Sequence, residues 1–149
     1  MIIKTLRKSE LHKLKPLWLE LNAHHLSRST NFKLHFKKQT FEMRMEKLQQ
    51  REKLIAFVAE VEAVNVGYSI ATIDDQAGEI DSLFVTPDFR GHKIGEKLTQ
   101  HALQWLQAQH PKTLRVNVAE GNEAALEFYR KFGFNERYIV MAHQLENQC

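Results

Sequence analysis

Apolar positions along the chain change period several times, and each change marks an element. After a short apolar opening at Ile2, Ile3 and Leu6 that reads as a strand, Leu11, Leu14, Trp18 and Leu21 keep returning to one helical face. Ser9 stands where an N-cap is expected, and Pro16 should kink that helix or restart it. Residues 22–37, rich in His, Ser and Asn, read as a mobile connection with partial helical character, and Phe41, Met45 and Leu48 mark a second helix. From Leu54 the texture turns β-branched and apolar, which predicts strands over 54–61 and 65–73 around a tight reversal near Glu62 and Ala63. Asp74 to Gly78 reads as a turn, and Glu79 to Val85 as a further strand ended by Thr86-Pro87-Asp88. Ile94, Leu98, Ala102, Trp105 and Leu106 predict a helix over 94–109 before Pro111. A strand over 113–119, a helix from Asn122 stopped by Gly133, and a closing strand near 137–145 complete the order.

The order β-α-α-β-β-β-α-β-α-β predicts one α/β domain over residues 1–149, an α+β mixed sheet with helices on its faces. The crossover through helix 94–109 should make its flanking strands parallel, and ligands of such sheets bind beyond the carboxyl ends of parallel strands. That puts the loop 86–95 and the start of the helix at Asn122 on one rim.

Composition narrows the function classes. At 149 residues, 43% apolar and 26% charged, the chain suits one compact core. Its apolar runs fall far short of the roughly eighteen residues a membrane helix needs, and Met1-Ile2-Ile3-Lys4 does not open a signal peptide, so a soluble, unexported, cytoplasmic protein is expected. Cys149, the one cysteine, can form no internal disulfide. The net charge of +3 hides a split: residues 1–53 carry 13 Lys and Arg against 5 Asp and Glu, and the rest carry 8 against 13. The basic residues sit in amphipathic helical patterns without interleaved aromatics, so a nucleic-acid partner is not expected. Lys37, Lys38, Arg44, Lys47 and Arg51 read as exposed helix faces. The eight histidines show no metal-ligand spacing.

Arg90-Gly91-His92-Lys93-Ile94-Gly95 runs from a strand into a helix, so its amides converge on the positive end of the helix dipole. Gly91 and Gly95 allow close approach, and Arg90 and Lys93 suit a pyrophosphate, although the same residues would serve a plain turn with solvated cations. The spacing is neither a Walker loop nor a dinucleotide fingerprint. Residues 79–95, with this turn at their end, resemble the acetyl-CoA-binding motif of the GNAT N-acetyltransferase superfamily. Residues 118–134, which carry an Asn, an Ala and a Tyr on a helix ending in Gly-Phe, resemble the family's second hallmark. Lys93 departs from the pattern, which commonly has a second glycine there.

The resemblance implies a GNAT fold and transfer of an acetyl group from acetyl-CoA to a primary amine in a ternary complex, without metal. It implies cofactor contacts from Leu83, Phe84, Val85, Arg90, Gly91, His92, Lys93, Ile94, Gly95, Glu96, Asn122 and Tyr129. It also implies a bulge in strand 79–85 that aims the Leu83 amide at the thioester carbonyl. An amine with pKa near 10.4 costs about 4–5 kcal/mol to deprotonate at pH 7, so a base is useful. In a regular strand Glu79, Asp81, Leu83 and Val85 share one face and Ile80, Ser82 and Phe84 the other, which puts both carboxylates together. Both match places where branches of the family carry a base; Asp81 is favoured, and pairing with Lys or Arg is the competing role. Tyr129 suits an acid for the departing thiolate, or a core aromatic; Asn122 suits a cofactor contact, an N-cap, or both. Trp18, His24 and His25 are candidates for the acceptor wall. Two acidic residues favour a small cationic amine as acceptor, with a protein lysine or N-terminus as the alternative. A non-catalytic acyl-CoA-binding module is the alternative of another class. Exposed strand edges and apolar helix faces are compatible with a homodimer.

Overall fold

The computed structural model describes residues 1–144. Strands β1 (Ile2–Leu6), β2 (Lys53–Val61), β3 (Val64–Asp74), β4 (Ala77–Val85) and β5 (Thr113–Val116) form one sheet in that order. The first four are antiparallel, and β5 runs parallel to β4 as the crossover predicts. Helices α1 (Lys15–Arg28), α2 (Lys33–Lys38) and α3 (Phe41–Gln49) precede the central strands; α4 (Ile94–Ala108) links β4 to β5, and α5 (Ala124–Arg130) follows.

β2 explains why the sheet has two covered faces. Ala56 and Val58 join Leu6, Leu11, Leu14, Trp18, Phe41, Met45, Leu48, Tyr68 and Ile70 under α1 and α3, while Phe57 and Ala59 meet Ile94 and Leu98 of α4. A strand buried on both sides reads as the unbroken apolar run at 54–59. Each hairpin turns on two residues, Glu62-Ala63 and Asp75-Gln76, all at positive φ, the geometry that matches strand twist.

Several expectations need correction. Ser9 is not a cap: the chain enters a 3-10 turn over Lys8–Leu14, with the Arg7 N–H donating to Glu10 Oε1 at 3.1 Å, and Pro16 starts α1 in its first turn. Residues 22–37 are mostly helical, because side chains tie the backbone down: Asn22 Nδ2 donates to Phe36 O at 2.9 Å and the Phe32 N–H to Ser29 Oγ at 2.9 Å. β5 stops at Val116 instead of 119, and α5 begins at Ala124, without a side-chain cap from Asn122. No strand forms over 137–144, and residue 145 lies outside the described residues. Tyr138 and Met141 there are 70% and 93% exposed, so this apolar pattern meets no core to fix it.

Candidate active site

β4 pairs with β3 along its length, but β5 accompanies it only from Ala77 to Ile80. Beyond Ile80 the β5 edge of β4 carries no ladder. The break coincides with a bulge: Ile70 faces Ser82 and Ala71 faces Ile80, leaving Asp81 with no residue opposite. The extra residue resets the alternation. Glu79 and Asp81 do share a face, but Phe84 joins them there in the core under α1 and α3, and the Ser82 hydroxyl meets Tyr68 Oη at 2.7 Å. Leu83 and Val85 instead pack with Ile94 and Leu98 of α4, so the grouping expected of a regular strand is wrong for Ser82 through Val85.

The bulge seats Asp81 among cations. Its carboxylate is fully covered; Thr72 Oγ1 donates to Oδ2 at 2.6 Å and Arg51 Nη1 to Oδ1 at 3.2 Å. Burial pushes the Asp81 carboxyl up to about 7, with Glu79 adding to the rise and Thr72, Arg51 and Arg44 opposing it. Glu79 is buried as well, bonded to Arg115 Nε at 2.9 Å and 3.6 Å from Arg51 Nη1. Arg44 Nη2 donates to the Asp81 carbonyl at 3.3 Å. Arg44 and Arg51 are therefore part-buried site residues and not exposed helix faces, since each is drawn in by an oxygen of β4.

At the far end of β4 the chain passes through Pro87–Phe89 into the predicted turn. Gly91 has φ +83° with open space where a side chain would stand, and Lys93 occupies the left-handed region at φ +62°. Among the described residues, the amides of 91–96 donate to nothing, which leaves them pointing outward at the start of α4. Ile94 itself is buried in the core, so only its main chain can face a ligand. Arg90 folds back over the Phe84 ring and donates from Nε to Val85 O at 3.0 Å.

The rim is closed by the segment before α5. The Glu120 carboxylate accepts from the Thr30 and Asn31 amides at 3.0 and 2.8 Å, and Gly121 lies against the Arg28 carbonyl. His24 faces Asn122 and Arg90; burial, then the nearby Arg90 and Arg28 cations, lower its pKa. His25 lies against the Phe36 ring, and burial pulls it down to about 4. Trp18 is a correction: at 5% exposure, edge-on to Phe41, it belongs to the core and not to an acceptor wall. Tyr129 is buried between Phe128 and Phe134, and burial alone raises its hydroxyl to about 12. The helix stops as expected, with Gly133 at φ +90° and the Phe134 N–H returning to Tyr129 O at 3.2 Å. No group of three His, Cys, Asp or Glu side chains able to hold a metal occurs among the described residues. No described helix is long and apolar enough to cross a membrane.

The model of the Acetyltransferase (GNAT) family matches residues 18–134, which spans α1 through Phe134. The chain belongs to this family. An uncharacterised N-acetyltransferase of Methanocaldococcus jannaschii is 33% identical over 100 residues, covering 62% of this chain and 44% of that protein. The peptidyl-lysine N-acetyltransferase YjaB of Salmonella typhimurium is 41% identical over 70 residues, 46% of this chain and 41% of its own. The chain thus spans under half the length of these two relatives. Among solved structures, a putative acetyl transferase from Pyrococcus furiosus superposes with TM-score 0.75 at 20% identity, over 97% of this chain and 100% of that one. The aminoglycoside N-acetyltransferase AAC(6')-Iy in complex with CoA gives 0.69 at 17%, over 97% and 99%. Both show the same mixed α/β fold.

Within this GNAT chain, Arg51, Thr72, Arg115 and Arg44 are the polar groups that the sequence did not single out. They stand 30, 9, 34 and 37 positions from Asp81 in the chain; the sheet register brings in Thr72 and Arg115, and the packing of α3 on the sheet brings in Arg44 and Arg51. A partial signal existed: two carboxylates on a strand buried on both faces need cationic partners.

Proposed function

We propose that this chain transfers an acetyl group from acetyl-CoA directly to a primary amine, with Asp81 as base and Tyr129 as acid. The observation that carries the reading is the run of unengaged amides at 91–96, set at the end of a strand whose edge opens at a bulge. The open turn fits a diphosphate: Gly91 has nothing over it, the helix end is positive, and Arg90 and Lys93 add charge. Residues 91–96 would hold that group, with Asn122 beside it; Phe84, expected among the cofactor contacts, is a core residue instead. When bound, acetyl-CoA supplies an acyl group activated as a thioester.

The chain's own residues then divide the proton work. Leu83 and Val85 lie on the β4 segment without a β5 ladder, and the Leu83 amide is the candidate donor to a developing oxyanion. A carboxylate raised to about 7 is close to the working pH, so Asp81 can take a proton from an ammonium and release it to water. Its covered side chain calls for a water as relay. Glu79, engaged by two arginines, acts as a counter-charge. The Tyr129 hydroxyl, held protonated by burial, supplies the proton to the sulfur as its bond to the acyl carbon breaks, and the proton shed by the newly acylated nitrogen restores it.

The acceptor is read as a singly charged primary amine, such as a peptide lysine or amino terminus, in preference to a polycation. Glu79 and Asp81 favoured a small cationic amine only while they counted as free charges, and both are paired. The test is calorimetry with coenzyme A, then thiol release over peptide lysines, peptide amino termini, polyamines and aminoglycosides. Binding with peptide turnover is expected. Tyr129→Phe should bind coenzyme A normally and turn over about 100-fold more slowly. Full activity in that variant removes the acid, and absence of coenzyme A binding removes the whole reading.

A further inference from the structure

The cations around the bulge do more than neutralise it. Arg51 follows α3, its N–H anchored to Leu48 O at 3.1 Å, and a single guanidinium nitrogen reaches three acceptors. These are Thr72 Oγ1 at 2.9 Å, Asp81 Oδ1 at 3.2 Å and Glu79 Oε1 at 3.6 Å. Thr72 Oγ1 in turn donates to the other Asp81 oxygen, so the carboxylate is held at both ends and its plane is set. Glu79 is restrained from its far side by Arg115, and the Asp81 main chain by Arg44.

We propose that Arg51 is a positioning residue for acetyl transfer: it fixes the Asp81 carboxylate at the bulge and keeps it in the form that can accept a proton. The proposal rests on the reading of Asp81 as base. The charges facing Asp81 are Glu79 from its own strand, Arg115 from β5, Arg44 from α3 and Arg51 from the connection after it; Thr72 of β3 is a neutral donor. Burial and Glu79 both drive Asp81 towards its protonated form, in which it cannot serve as a base. Arg51 is the only one of the three arginines that bonds the carboxylate itself; Arg44 bonds a carbonyl and Arg115 bonds Glu79. All three contacts come from Nη1, at the end of a side chain longer than that of lysine, so a lysine at this position returns the charge without the same reach.

The experiment follows the Asp81 carboxyl by carbon NMR on protein labelled at aspartate side chains, assigned with Asp81→Asn. It is run beside the pH dependence of kcat/KM for wild type, Arg51→Gln and Arg51→Lys. In Arg51→Gln the Asp81 midpoint should move up by about one unit, and the acidic limb of the rate profile should move with it, close to a tenfold loss of kcat/KM at pH 6. Arg51→Lys should recover part of the midpoint shift and little of kcat, because the charge returns on a shorter side chain that does not hold the carboxylate in place. If Arg51→Gln does not fold, Arg51→Lys alone decides, by whether kcat falls while KM for the amine holds. A midpoint unmoved in folded Arg51→Gln, or wild-type kcat in Arg51→Lys, overturns the proposal. A midpoint that moves while the rate profile stays still leaves Arg51's hold on Asp81 in place and removes Asp81 as base.

Discussion

Asp81→Asn is expected to gain stability relative to wild type as pH rises from 5 to 8, while it lowers turnover. Folding lifts the carboxyl from 3.8 to about 7, so between those values the folded chain binds more protons than the unfolded one. Stability from this group is fully present below pH 3.8 and is lost as pH rises towards 7. At about 1.4 kcal/mol per unit, some two units of that loss fall between pH 5 and pH 8, or about 2–3 kcal/mol. Asparagine does not titrate, so the variant's advantage over wild type should grow by that amount across the interval, about 5–10 °C in Tm for a chain of this size. The bonds it loses to Arg51 and Thr72 lower its stability by an amount that changes little with pH, so the growth of the difference is the cleaner quantity. His25, with the opposite dependence, cancels in the comparison. Calorimetric melts of both proteins at half-unit intervals measure it. A difference in Tm that stays constant from pH 5 to pH 8 would refute the reasoning.

Three further perturbations probe other parts of the site. His25 is held near 4 by burial, so stability it lends above pH 6.5 drains away as pH falls through 4; His25→Leu should flatten the acid side of a circular-dichroism titration. Gly121 sits at φ +92° with a Cβ position 2.3 Å from the Arg28 carbonyl, so Gly121→Ala should lose about 2 kcal/mol or more in urea unfolding and loosen the rim before Asn122. Lys93→Gly relieves a left-handed residue at φ +62° and should gain about 1 kcal/mol, read as a higher Tm without ligand, while loss of its charge weakens coenzyme A binding.

Much of the fold was legible because its signals are local. Ile94, Leu98, Ala102 and Leu106 trace one helical stripe, and the run at 54–59 marks a strand covered on both faces. The helical character of 22–37 was largely hidden because its order comes from side chains bonding distant carbonyls, as Asn22 does to Phe36, and not from an apolar stripe. At 137–144 the opposite error arose: the pattern looks like a strand, yet nothing packs on Ile139 or Met141. For the site, residue types at 79–95 and 118–134 pointed to the family whose model matches, and the turn into α4 lies where the motif put it. The face of each β4 residue was not readable, since one unpaired position at Asp81 reverses all that follow it. Arg51 reads as a solvated charge in the sequence because its partners lie on β3 and β4, distant along the chain from the loop that carries it.

The parting of β4 and β5 after Ile80 and Val116 has a consequence for solubility. Naked strand edges ordinarily recruit neighbouring molecules into larger sheets, and proteins blunt them with charge or proline. Here β5 is the last described strand, so the bare stretch from Asp81 to Val85 lies at the outer margin of the sheet, and it is short. So brief an opening offers a foreign sheet little to extend, which limits the recruitment of further copies.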